Sequence, residues 1–368
     1  MSRTRDQSQG IVDYVSPSLG AYGLVGRNVI VNGDSSIAQI NGANAVTPSI
    51  SGTFPIDMRY WGLTQPSKLS AQQVTNKLNS LGATHALQAT VVASYTTIAT
   101  DLFFFYPAIE GYNLARFAYG TANAKAGSLQ FKVNASVAGT YSGAIISYNS
   151  TRSYPFTYTV AANTDTLIQI QNIPGDTGGT WVGATSASAG IIIFDMGSGS
   201  TFKSSTVGSW QAGAIYGVTG STNLVSQTNG STLTITDIQF EVGSVCTQFE
   251  RKLYDQNLRE CQRYLPCWNG TFTGIVTYST TTTNASMYIN YPTTTRVPAT
   301  GIVFSSVSHF RYNNASSNYI ATALAFSTSS TVGGSFILTT SGIAAGNLPG
   351  IGDCNNAAGQ LAFTGIQI

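Results

Sequence analysis

From Arg27 to Val245 the chain repeats one pattern, a short run in which apolar and polar side chains alternate, closed by a turn rich in Gly, Asn and Ser. In the run 128–133, Leu129, Phe131 and Val133 fall on one side, and Gln130 and Lys132 on the other. Successive side chains of a strand point to opposite faces, so the alternation places one face in a core and one in solvent. Similar runs cover 87–92, 143–148, 156–160, 166–171, 190–194 and 232–240. Many short strands separated by turn signals imply stacked sheets, hence a sandwich or jelly roll.

The 368 residues exceed the usual size of one domain, and the charge distribution indicates where to divide them. Arg251, Lys252, Asp255, Arg259 and Glu260 crowd between Glu250 and Arg263, whereas the charged residues beyond Arg263 are Arg296, Arg311 and Asp353 alone. The dense segment predicts a helix over 249–264. Leu253, Leu258, Cys261 and Leu265 fall near one stripe, and Asp255 and Arg259 have the i,i+4 spacing of a helical ion pair. Pro266 stops it. A second helix is expected across Lys68–Leu78, ending before Gly82. From Cys267 strand signals return at 272–278, 285–291, 301–304, 319–326, 335–339 and 360–367, which reads as a second, smaller β-sandwich. So charge-poor a domain is a solubility liability on its own, and self-association, as a trimer, is expected.

Only 9% of residues are charged and the formal net charge is +2, so the chain lacks the clustered Lys and Arg of a nucleic-acid footprint. The segment 1–10 has no apolar signal-peptide core, and the longest apolar runs, 102–107 and 191–194, are of strand length, so no membrane insertion is expected. Cys246, Cys261, Cys267 and Cys354 lack metal-ligand spacing, and His85 and His309 are the only histidines available to complete a zinc site. The four thiols read either as small buried hydrophobes or as partners in a later bridge, with Cys261 and Cys267 the pair to examine first. No DxDxDG run supports calcium, and no cofactor is expected.

Catalytic signals are sparse. There is no GxSxG, Walker loop or HExxH. Asp57, Glu110, Asp176, Asp195, Asp237 and Glu241 are available as carboxylates, but paired spacing for glycoside hydrolysis is not readable from them. Aromatic residues offer more, because an aromatic face pairs with the apolar face of a sugar ring. Trp61 reads as core, whereas Trp181 and Trp210 sit near turns and are candidate glycan contacts. In the second domain Tyr278, Tyr288, Tyr291, His309 and Tyr312 form a candidate aromatic set, of which Tyr278, Tyr291, His309 and Tyr312 are the expected glycan contacts; alternation puts Tyr288 on a different face from Tyr291, so the five cannot form one platform.

The segments Asp237-Ile-Gln-Phe-Glu-Val-Gly-Ser-Val-Cys-Thr-Gln-Phe-Glu250 and Cys261-Gln-Arg-Tyr264 resemble a pattern of phage and prophage virion proteins, a "QLEVGSxATPFE" strand followed by "CQRYY". Arg27-Asn-Val-Ile-Val-Asn-Gly-Asp34 is similar to the opening "RNLLINGD" strand, and Asp57-Met-Arg-Tyr-Trp61 stands where that group shows "ADRW". Segments near Ile109–Gly111, Gly120–Lys125, Arg152–Phe156 and Ile173–Trp181 follow in the same order, so the resemblance spans 27–264. Asn290–Thr300 is similar to a "PVPMRATPT" segment that follows the same helix, departing from it at Thr293–Thr295.

Together with the strand pattern and the polar segment 1–26, the resemblance implies an all-β chain with four parts: an N-terminal virion-attachment arm at 1–26, a jelly-roll β-sandwich at 27–248, a connecting helix at 249–266 and a C-terminal β-sandwich at 267–368. It implies a non-enzymatic tailed-phage structural protein on the virion exterior, made in the bacterial cytoplasm. The expected form is a trimeric fibre or spike that adheres to host surface glycan. Ile11, Tyr14 and Val15 are the arm residues expected to meet another virion protein, and Leu253, Leu258, Cys261 and Leu265 the expected oligomer contacts. The alternatives are a purely architectural capsid or collar decoration protein without a ligand, and a polysaccharide hydrolase.

Overall fold

A computed structural model describes residues 26–49, 51–314, 317–343 and 348–368. The expected arm contacts Ile11, Tyr14 and Val15 lie outside them. The chain divides into two compact units, one ending at Ser36 and resuming over Ala43–Lys252, the other comprising Ile37–Gly42 and Leu253–Ile368.

The first unit contains β1 (Tyr60–Leu63), β2 (Leu69–Thr75), β3 (His85–Val91), β4 (Phe103–Tyr106), β5 (Ala108–Glu110), the single-turn helix α1 (Gly111–Leu114), β6 (Gly127–Ala135) and β7 (Gly139–Ser147). It continues with β8 (Arg152–Val160), β9 (Thr166–Ile173), β10 (Ser188–Asp195), β11 (Lys203–Ser204), β12 (Gln211–Ala212), β13 (Gly217–Val218) and β14 (Thr232–Val242). β11 and β13 form a separate two-stranded parallel sheet, and the two large sheets have the orders β2-β3-β14-β6-β9 and β1-β4-β10-β7-β8-β12, with β5 also paired to β10. The chain passes repeatedly between the two, giving a jelly-roll sandwich. Its core is aromatic: Phe131 of β6 meets Phe194 of β10 edge-on at 5.0 Å, and Phe194 stacks on Phe105 of β4 at 5.0 Å. Trp61 is buried, as its sequence context indicates.

The helix expected over 68–78 is instead β2. Leu69 to Thr75 pair in unbroken antiparallel register with Val91 to His85, and Leu69 and Ala71 are buried. Cross-strand pairing and burial override the helical preference of Lys, Leu, Ala and Gln. Strand β14 carries a bulge between Thr236 and Gln239, with Asp237 at φ 50°. The bulged carboxylate sits between Lys132 at 2.7 Å and Arg251 at 2.6 Å.

The second unit opens on α2 (Tyr254–Gln262), shorter than the expected 249–264. Glu250 is held extended, because its carboxylate accepts the backbone N–H groups of Gly26 and Asn28 while its own N–H donates to Gln239 Oε1 at 2.7 Å. The Asp255–Arg259 pair is present at 4.0 Å on the exposed side of α2. The stripe expected to mediate oligomers is not one exposed face: Leu253 is 76% exposed, Leu258 is half-buried, and Cys261 and Leu265 are buried. Three of the four side chains are thus wholly or partly covered within the chain, which leaves Leu253 as the exposed member of the stripe.

Strands β15 (Cys267–Asn269), β16 (Phe272–Ser279), β17 (Asn284–Asn290), β18 (Gly301–Phe304), β19 (Phe310–Asn313), β20 (Asn318–Ile320), β21 (Ala323–Ser329), β22 (Gly333–Thr339), β23 (Pro349–Cys354) and β24 (Gln360–Thr364) complete the second unit. A sheet of order β20-β19-β23-β16-β17-β22-β21 is accompanied by a smaller one, β15-β24-β18. Phe363 of β24 is ringed by Trp268, Tyr291, Phe326 and Phe336 at 5.1–6.4 Å, which places the core between the two sheets. Segment 37–42 sorts with this unit because Gln39 donates to Leu265 O at 3.0 Å and accepts from Asn269 and Gln360. All four cysteines are free, and three are buried. Among the described residues no helix is long and apolar enough to cross a membrane.

Candidate functional site

Two turns of the first unit, the 174–185 segment and the stretch before β12, bring Trp181 and Trp210 edge-to-face at 5.5 Å and 89°. Beneath them Tyr119 packs against both indoles, at 5.0 and 5.4 Å, and Tyr154 of β8 meets Trp210 at 5.4 Å. The two tyrosines are buried and the two tryptophans half-buried, so the cluster has a closed floor and an open side.

Hydrogen bonds fix the indoles. Trp181 Nε1 donates to Asp176 Oδ2 at 2.9 Å, and Trp210 Nε1 donates to Pro174 O at 2.6 Å. Asp176 is itself gripped side-on by Arg152, whose Nε and Nη2 donate at 2.9 and 2.7 Å. Such a bidentate pair fixes orientation as well as adding energy. The hydrogen bonds from Arg152 to Asp176 also raise the guanidinium above its ordinary pKa. Gly179 lies over Arg152 at φ 70°, where an added Cβ would stand 2.4 Å from Arg152 Cγ. Both indole N–H groups are therefore bonded to the protein, which fixes two half-buried rings as one aromatic platform. At its edge the Asn149 amide donates to Thr180 O at 3.3 Å.

Tyr119 Oη is buried without a hydrogen-bond partner among the described residues. Burial first, then the charge of Asp176 and the nearby Tyr154, push its phenol far above the ordinary value, so it stays neutral.

The six carboxylates considered for catalysis are each 2% exposed or less. Besides Asp176, Asp195 is paired with Lys203 at 3.2 Å, Asp237 with Lys132 and Arg251, and Glu241 accepts from Thr247 and Gln239. Among the described residues no group of three or more His, Cys, Asp or Glu side chains is placed to hold a metal ion.

In the second unit the aromatic set divides. Tyr291 and Tyr312 are core residues, not ligand contacts: Tyr291 packs on Phe363 and shares a hydrogen bond with Ser329 at 2.7 Å, and Tyr312 donates to Leu348 O at 2.8 Å. Alternation in β19 turns Phe310 and Tyr312 inward and Arg311 and Asn313 outward. His309 is half-buried in the turn before β19, with Nδ1 2.8 Å from Ser305 Oγ. Tyr278 is 40% exposed, and its neighbour is Tyr288, 44% exposed, with the two rings nearly parallel at 6.1 Å and 11°. Tyr288 faces outward, in line with its alternation with buried Met287 and its expected separation from Tyr291.

No protein-family profile matches the chain, and no curated protein matches it. Among solved structures it is similar to a sugar-binding protein described as putative from Bacteroides thetaiotaomicron, at 12% identity and TM-score 0.32, covering 59% of this chain and 100% of that one. A family 11 carbohydrate-binding module of a Clostridium thermocellum cellulase gives 9% identity and TM-score 0.27, covering 56% and 99%. The enzymatically active domain of bacteriophage CBA120 tailspike protein 4 gives 10% identity and TM-score 0.30, covering 59% of this chain and 21% of that one. The chain thus spans about a fifth of the tailspike's length. All three likenesses are too low to inform on function.

Proposed function

We propose that this chain is a non-enzymatic structural protein of a tailed-phage virion, a trimeric fibre or spike that adheres to host surface glycan through the Trp181–Trp210 platform. The observation that carries the glycan reading is the pair of half-buried indoles set edge-to-face, each with its N–H bonded to the protein. An aromatic surface held in place loses little entropy on binding and suits the apolar face of a pyranose. The virion reading rests on the ordered sequence resemblance over 27–264. The burial of all six candidate carboxylates, and the partners held by Asp176, Asp195, Asp237 and Glu241, support a binding role over hydrolysis, because a glycosidase needs two carboxyl groups open to one cleft.

Weak single-site contacts multiply when several chains share a fibre and several fibres a particle. A reconstruction of intact particles tests the virion and trimer parts: threefold density at the tail or baseplate supports both, monomers packed over the capsid or collar overturn the fibre and trimer parts, and particles without the chain overturn the virion part. Incubation with host envelope polysaccharide tests the remainder, with retention and no release of reducing ends expected. Release that disappears on replacing one carboxylate would make the chain a hydrolase.

A further inference from the structure

A second aromatic surface lies in the other unit, beside a cavity that the Trp181–Trp210 platform does not involve. The end of β17, the β21–β22 turn and the start of β22 line an open cavity of about 350 Å³, within the range of small-molecule sites. Register assembles its wall. Tyr288 of β17 stands opposite Ser335 of β22, and Ser335 stands opposite Thr328 of β21, so three side chains form one row across three strands. A bulge between Phe326 and Thr328 brings Thr328 into that row in place of Ser327. Asn290 follows on the same face, opposite Gly333, whose lack of a side chain keeps the space open; a Cβ there would stand 2.9 Å from Ile289 O.

The chemistry of the lining is narrow. Every lining residue is uncharged, so an anion would meet no cation and a cation no carboxylate. Tyr288 and Val332, 44% and 60% exposed, supply apolar surface, and the parallel ring of Tyr278 extends the Tyr288 side. The hydroxyl of Ser329 is engaged by Tyr291 and by backbone, and that of Ser330 by its own turn. The side chains of Asn290, Thr328 and Ser335 line the cavity and form no hydrogen bond with other described residues. One aromatic face beside three unengaged, uncharged hydrogen-bonding groups matches a ligand with one apolar face and several hydroxyls.

We propose that this cavity is a saccharide site for an uncharged pyranose or the end of a neutral glycan. Tyr288 takes the ring face, and Asn290, Thr328 and Ser335 take hydroxyls. The site is independent of the Trp181–Trp210 platform and stands whether or not that platform binds.

The test uses the full chain carrying Trp181→Ala and Trp210→Ala, with saturation-transfer NMR against neutral trisaccharides of glucose, galactose, mannose and N-acetylglucosamine, and against sialylated and uronic-acid trisaccharides. Saturable transfer from at least one neutral sugar is expected. It should weaken about tenfold in Tyr288→Ala and in Asn290→Ala and persist in Tyr288→Phe, with unchanged thermal unfolding in all three. No transfer from any neutral sugar, equal affinity in Tyr288→Ala, or preference for the charged sugars would overturn the proposal. Loss of wild-type binding in the tryptophan double variant with no cavity binding left would overturn it while leaving the platform reading intact.

Discussion

Trp181 takes its orientation from Asp176, whose Oδ2 accepts the indole N–H at 2.9 Å while Arg152 holds the same carboxylate from the side. The exposed ring thus depends on a carboxylate that is 2% exposed. Removing that carboxylate has two consequences at once.

Asp176→Ala leaves Arg152 without its partner and frees the indole. Truncating one member of a largely buried ion pair is expected to cost about 3 kcal/mol. The denaturation midpoint of the first unit should fall accordingly, and glycan affinity should fall with it. A variant with unchanged stability and affinity would show that the carboxylate does not anchor the platform.

Gly179→Ala is expected to disturb the same anchor from the other side. The position has φ 70°, and its new Cβ would press on the Arg152 stem. The expected cost is about 1–2 kcal/mol, read as a lowered unfolding midpoint. Gly183→Ala is the control, since an added Cβ there meets nothing within 4 Å; its midpoint should stay at the wild-type value.

Asp101 predicts an acid-sensitive contribution to stability. Burial pushes its carboxyl up, but hydrogen bonds from Ile98 N–H, Thr64, Gln65 and Tyr95 together outweigh burial and leave the pKa below its ordinary 3.8. A folded-state pKa below the unfolded value gives stability that is fully present above the unfolded pKa and lost as pH falls through the folded one. Wild type should therefore exceed Asp101→Asn by about 1–3 kcal/mol at neutral pH. The gap should close below about pH 4. Denaturant titrations from neutral to acid pH check this; a gap that widens on acidification would refute it.

The two classes of tyrosine in the second unit should separate cleanly. Tyr312→Ala removes a buried ring and its hydrogen bond to Leu348 O, at an expected cost of about 3–5 kcal/mol. Tyr288→Ala, at an exposed position, should stay within about 0.5 kcal/mol of wild type. Unfolding of both variants followed by circular dichroism distinguishes them.

Alternation made the core of the first unit legible. Leu129, Phe131 and Val133 are all fully buried, as their alternation indicates, but the opposite face is not in solvent as expected, since Gln130 is 4% exposed and donates to Thr247 O. Properties that depend on distant partners were not legible. Lys68–Leu78 has a helical composition, and only pairing with β3 turns 69–75 into a strand. Segment 37–42 looks like part of the first domain until Gln39 is seen bonded to Leu265, Asn269 and Gln360. For the sites, proximity to turns identified Trp181 and Trp210, but their meeting required two separate loops to converge. Aromatic identity alone could not sort Tyr291 and Tyr312 from Tyr278, because face depends on register. The cavity beside Tyr288 depends further on the bulge before Thr328, which no local pattern announces.

Glycan binding at the Trp181–Trp210 platform is most directly tested by titrating host envelope polysaccharide into the full chain carrying Tyr288→Ala and following tryptophan fluorescence. The account predicts a saturable change that disappears when Trp181 and Trp210 are replaced by alanine in a chain that remains folded. A flat titration, or an unchanged response in the doubly substituted chain, would contradict it.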